Sequence, residues 1–380
     1  MARLTITDSG VLYRNPLPGH QAVIAFGPFI MPLSPTELIC AFKRSQAMYA
    51  ADGMIHLLRS TDGGRSWAHE GPVVDRSLDP LPYQYNGGPL TRLGDGSLVM
   101  TCWRCDRSDP SRFYVNPNGG GSAPLETVYL RSTDRGRTWS RPRVAQLPPK
   151  PDRIEPAAGG PVIELADGRW MQLYETWNDY ENSGPMDLVT YVLFSDDEGR
   201  TWADHTTIAD GQTDDRSYSH GHLIHLPDGR FYGLYWTADA KFRRFQGLWA
   251  NLCDDATGRA WGQPFCLNIA GQTSYPVALG AQRMAIIYCE RNGSQVPGIK
   301  VVICEDYGRR LDPESQAVVW DAYGKQALGA PRTDRYPSSH DVIAYGAPHL
   351  VRLHEDELMA CFWCTQSADT HARFCRLKID

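Results

Sequence analysis

Apolar residues in this chain come in short runs broken by turn residues, and no sustained 3.6-residue periodicity appears, so strands rather than helices are expected. One pattern recurs: a Gly-Pro or similar pair, an apolar run, a turn, and a second apolar run. It reads GGPLTRLGDGSLVMTCW from Gly87 to Trp103, GGPVIELADGRWMQLY from Gly159 to Tyr174 and HGHLIHLPDGRFYGLY from His220 to Tyr235. Looser copies start at Phe26, Ser274 and Gly346. Each copy predicts a β-hairpin around its turn. A third run follows the early copies, as in MIHLL (Met54 to Leu58) and LVTYVLF (Leu188 to Phe194), and then a weaker fourth. Six repeats of four antiparallel strands predict an all-β, six-bladed propeller spanning residues 1–380 as one domain. The last repeat is one strand short. The spare N-terminal run, RLTIT (Arg3 to Thr7) or VLY (Val11 to Tyr13), is expected to pair there and close the ring.

Between the third and fourth runs lies a second repeated string. It reads STDGGRSW (Ser60 to Trp67), STDRGRTW (Ser132 to Trp139) and SDDEGRTW (Ser195 to Trp202), with worn copies CDDATGRAW at Cys253 and CEDYGRRL at Cys304. The aspartate suits a tight turn because its carboxylate accepts backbone N–H bonds. The glycine tolerates a backbone that other residues resist, and the tryptophan buries a large ring. This octapeptide is the Asp box (BNR repeat), and through it the chain resembles the sialidase (neuraminidase) superfamily over nearly its full length. The resemblance implies a six-bladed propeller with each box on the face opposite the active site. The box aspartates are therefore read as structural.

Net charge of −6 with no long basic run argues against a nucleic-acid partner. No apolar stretch reaches membrane-span length, and the N-terminus lacks a signal-like apolar region, so no membrane partner and a cytoplasmic location are expected. The ten cysteines fall mostly in apolar runs and are expected as reduced core residues. The pairs Cys102/Cys105 and Cys361/Cys364 would point to opposite faces of a strand, which makes them poor chelators. His220 and His222 share a strand face, but no third ligand has a diagnostic spacing, so neither a metal nor another cofactor is expected.

The loops entering each innermost strand and leaving each second strand should ring the channel mouth. They are rich in His, Tyr, Glu, Arg and Trp, including Lys43, Asn86, Glu175, Trp177, Trp236 and His340. The resemblance implies a tyrosine nucleophile paired with a glutamate, an aspartate acid/base and three arginines on the substrate carboxylate. By position, Asp52 matches the aspartate and Tyr275 the nucleophile, with Glu290 ending the same hairpin; Glu155 or His220 occupies the ground of a further family glutamate. AFGP (Ala25 to Pro28) stands where the family has its first arginine. Arg44, Arg104, Arg153, Arg216, Arg291 and Arg335 are the residues from which an anion clamp could be rebuilt. The leading expectation is exo-sialidase-type cleavage of a small acidic sugar or oligosaccharide. The alternatives are a uronic-acid lyase, with His220 or His340 as base, and a non-catalytic glycan-binding propeller.

Overall fold

A computed structural model describes residues 2–118, 121–148, 157–158, 160–184, 189–211, 216–239, 244–280, 282–291, 296–322, 344–366 and 369–380. They form six antiparallel sheets in a ring. The first comprises β2 (Ile24–Pro32), β3 (Leu38–Ser45), β4 (Met54–Ser60) and β5 (Ala68–Pro72), from the axis outward. The second holds β6 (Tyr83–Arg92), β7 (Leu98–Asp106), β8 (Leu125–Ser132) and β9 (Arg143–Val144). In the third, the inner strand is split into β10 (Ala157–Ala158) and β11 (Ile163–Glu164), followed by β12 (Trp170–Glu175), β13 (Val189–Ser195) and β14 (Ala203–Asp210). The fourth contains β15 (Arg216–His225), β16 (Phe231–Asp239), β17 (Phe245–Cys253) and β18 (Phe265–Cys266). The fifth runs β19 (Ser274–Gly280), β20 (Arg283–Glu290) and β21 (Gly298–Glu305), whose outer edge pairs with both β22 (Arg310–Leu311) and β23 (Ala317–Asp321).

The sixth sheet joins the two ends of the chain. β24 (Tyr345–His354), β25 (Glu357–Gln366) and β26 (Asp369–Ile379) are completed by β1 (Leu4–Tyr13), which pairs with β26 from Leu4↔Ile379 to Tyr13↔Ala372. The two N-terminal runs thus form one strand, with irregularities at Ile6/Asp8 and Val11/Tyr13. This pairing covers an edge that would otherwise present unpaired backbone groups.

Alternation along each strand builds the core between blades. On β3, Leu38, Cys40 and Phe42 pack with Leu12 and Phe374 of the sixth blade. Ile39 and Ala41 point the other way, against Tyr85 and Met100 of the second blade. All ten cysteines are free and nine are buried, Cys266 being half-exposed. The Gly-Pro pairs are bulges: register slips between Phe26 and Phe29, Gly87 and Leu90, Ser219 and His222, and Gly346 and His349. Gly87 and Gly88 hold φ of 95° and 115° there, a conformation that favours glycine.

The octapeptides turn β4 into β5, β8 into β9 and β13 into β14. In the third, Asp197 accepts the N–H groups of Arg200 (3.0 Å) and Thr201 (2.9 Å), and the Ser195 hydroxyl accepts the Gly199 N–H at 2.8 Å. Trp202 donates to the Gly199 carbonyl and is buried against Tyr129 and Tyr174. The Thr201 hydroxyl adds a third bond, and together these bonds hold the Asp197 carboxyl at about 2 against the opposing effect of burial. The worn copy at Cys253 keeps the same logic, with Asp255 accepting from Arg259 and Ala260 and Trp261 donating to Gly258. These turns close the ends of the third strands opposite to the loop that carries Asp52.

Candidate functional site

The mouth of the channel is built where second strands end and inner strands begin. Glu175 ends β12 with its carboxyl 1 % exposed, and accepts the Gly221 N–H of the fourth blade at 2.7 Å. Burial pushes the carboxyl up to about 7, and the opposing backbone N–H groups of Gly221 and His220 do not offset the loss of water. His220, beside Gly221, has φ of 46°, an unusual backbone for a non-glycine residue, and stacks on Trp236 with ring centroids 5.1 Å apart and planes 8° apart. Trp177 meets the same imidazole edge-on at 6.3 Å. A titrating carboxyl, an imidazole and two indoles thus share the seam between the third and fourth blades.

A second polar group lies across the mouth, between the first two blades. Lys43, near the end of β3, is 2 % exposed and donates to Asn86 Oδ1 and to the Met48 carbonyl, both at 2.5 Å. Gln84 Nε2 also donates to Asn86 Oδ1, at 3.3 Å. Burial lowers the Lys43 amine to about 7; the Asp52 charge opposes that shift and Arg107 adds to it. Asp52 is exposed and braces the covering loop, its two oxygens each accepting the Gln46 N–H at 3.1 Å.

Tyr275 lies deeper, on β19, where its ring packs against His349 (4.3 Å), His222 (4.9 Å) and Phe29 (5.9 Å). Burial raises its hydroxyl above the ordinary phenol range. His349 stacks on Phe29 at 3.8 Å and accepts the Ile30 N–H. Asp52 and Tyr275 stand on the first and fifth blades, and among the described residues no hydrogen bond or ion pair joins them. Glu290 ends β20 and is engaged by Lys300 at 2.6 Å in a buried ion pair.

Of the six arginines of the expected clamp, the four among the described residues are each committed to protein partners. Arg44 donates to the Tyr13 hydroxyl at 3.0 Å and so ties the first blade to β1. Arg104 binds Glu126 at 2.7 Å and Asp79 at 3.7 Å while lying over the Tyr83 ring. Arg216 donates to Gln246 and stacks on Trp249. Arg291 binds Gln272 and the Tyr345 carbonyl. Arg153, Glu155, Arg335 and His340 lie outside the described residues. Glu175 and Lys43 were legible only as mouth positions: nothing near either residue in sequence signals that the adjoining blade buries it.

No protein-family profile matches the chain. A sialidase from Micromonospora viridifaciens is 30% identical over 185 residues, which cover 45% of this chain and 26% of that protein. The match thus spans about a quarter of that relative. Among solved structures, a protein of unknown function from Dyadobacter fermentans superposes with a TM-score of 0.76 at 17% identity, over 99% of both chains. Hadza microbial sialidase Hz136 gives 0.67 at 15% identity, over 97% of this chain and 68% of that one. Penicillium chrysogenum α-L-arabinanase, complexed with arabinobiose, gives 0.64 at 15% identity over 98% of each chain. With the ring of six antiparallel sheets, these likenesses identify the fold as a six-bladed β-propeller of the kind seen in those sialidase and arabinanase structures.

Proposed function

We propose that the protein is a sialidase-like glycoside hydrolase that acts on a small acidic glycan at the mouth of its channel, with Glu175 as the proton-transferring carboxyl. The observation that carries this reading is the placement of Glu175: buried, held by the backbone N–H groups of Gly221 and His220, and flanked by the His220, Trp177 and Trp236 rings. A carboxyl titrating near neutrality is matched to giving and taking a proton at that pH. Indole faces suit the apolar faces of sugar rings. The sialidase and arabinanase likenesses support a sugar as the ligand. Asp52, on the first blade, and Tyr275, buried on the fifth blade against His222 of the fourth, remain part of this proposal as the exposed carboxylate and the phenol.

The test is a panel of sialosides, uronic-acid oligosaccharides and arabino-oligosaccharides, assayed with wild type and Glu175→Gln. Hydrolysis by wild type, with kcat lowered roughly 10²- to 10⁴-fold in the variant, supports the reading. Unchanged turnover in Glu175→Gln overturns the assignment. An unsaturated, ultraviolet-absorbing product would replace hydrolysis by elimination, with His220 or His340 as the base. Binding without turnover of any member would make this a glycan-binding propeller.

A further inference from the structure

Lys43 occupies a register position that three other blades fill with an aromatic ring. Phe26 faces Lys43 across the first hairpin just before the bulge. The matching pairs are Ala158 with Tyr174, Ser219 with Trp236, and Gly346 with Trp363, while the second blade pairs Gly87 with Cys102 there. Packing alone would be served by a ring, whereas burying an amine is costly unless it is paired. No carboxylate forms an ion pair with Lys43 among the described residues: the Asp52 oxygens are spent on Gln46.

The surroundings of the amine are also unfinished. Asn86 Nδ2, Gln84 Oε1 and Arg107 Nε are all buried without a hydrogen-bond partner among the described residues. Gln84 is fully buried and Asn86 is 6 % exposed. Native proteins rarely leave such groups unserved, and each one invites a ligand atom. Two unserved donors beside an amine call for an anion, and one unserved acceptor calls for a hydroxyl.

We propose that Lys43, Asn86, Arg107 and Gln84 form a subsite for the carboxylate and neighbouring hydroxyl of a sugar acid, and that Lys43 takes up a proton as the acid binds. The inference deepens the reading of an acidic glycan and rests on it for substrate class. Two of the amine's valences are already directed at Met48 and Asn86. The remaining one is a lone pair when the amine is neutral and a third N–H when it is protonated, so an arriving carboxylate brings a proton with it. The charged and titratable groups facing Lys43 are Asp52, Arg107 and the Tyr49 ring, whose centroid is 5.9 Å away. The Gln46 to Gly53 loop covers the amine, with Gly53 packed so closely that a Cβ would sit 2.6 Å from Lys43 Cε.

The experiment is calorimetric titration of the full chain with N-acetylneuraminate, glucuronate and, as the neutral control, glucose. It is run at pH 8 in two buffers of different ionisation heat. The expected result is uptake of close to one proton per bound acid, with glucose at least 10-fold weaker. Lys43→Met should abolish the proton uptake and the preference for acids, while Lys43→Arg should keep the preference and lose the uptake. Acids that bind without proton uptake, equal binding by Lys43→Met, or absence of acid binding would each overturn the subsite. The wild-type proton count decides the matter even if a variant misfolds. Because free acids are used, failure here is separable from failure of the Glu175 hydrolysis assay.

Discussion

The Glu175 carboxyl accepts the Gly221 N–H at 2.7 Å, a bond that crosses from the second strand of one blade to the bulged inner strand of the next. It fixes the carboxyl beside His220, while burial in the seam raises its proton affinity against the pull of that bond.

The first prediction concerns stability against pH. Glu175 is raised from an ordinary carboxyl value to about 7, so the folded state holds its proton more tightly than the unfolded chain. Its contribution is complete below about pH 4.5 and is lost as pH rises through 7, a change of roughly 3 kcal/mol. Glu175→Gln keeps an acceptor for Gly221 and cannot ionise. Its urea midpoint should equal wild type near pH 4.5 and exceed it at pH 8.

Acid should unfold the protein through its buried imidazoles. Burial lowers His56 to about 4 and His222 to about 3, and holds His349 well below the usual range. Their contributions are present above about pH 6.5 and vanish as pH falls through the folded values. The melting temperature should drop by several degrees between pH 7 and pH 4. His222→Gln, scanned over the same range, should flatten part of that drop.

Trp202→Ala should cost about 3–5 kcal/mol by chemical denaturation, because it removes a ring 2 % exposed and packed on Tyr129 and Tyr174. The substitution lies at the other end of the strands from the proposed site, so the sugar affinity that the proposed function calls for should stay within a factor of two or three in the folded fraction.

Ring closure can be tested at Gly10, where a Cβ would lie 2.6 Å from the Phe374 ring across the β1–β26 pair. Gly10→Val should overpack that contact, costing about 1–3 kcal/mol. Phe374→Leu in the same chain should restore part of the loss, read as a shift in the urea midpoint.

The hairpin copies and the octapeptides made the six blades legible from the residues alone, because strand and turn chemistry is local. Asp197 needs only Arg200 and Thr201 to complete its turn. The split inner strand of the third blade and the doubled outer edge of the fifth were not legible, because both depend on which neighbour a short run finds.

The candidate site divides along the same line. Sequence alone determined that His, Tyr, Glu, Arg and Trp are plentiful in the segments that enter inner strands and leave second strands. Only the tertiary structure decided that Glu175 lies against Gly221, that Lys43 lies against Asn86, that Glu290 is paired with Lys300, and that Arg44 and Arg104 are spent on Tyr13, Glu126 and Asp79. Several of these partners come from adjoining blades, more than forty positions away for Glu175 and Lys43. Proton affinity follows from burial by those partners. A repeat states how each blade is made, whereas the chemistry arises in the seams between blades.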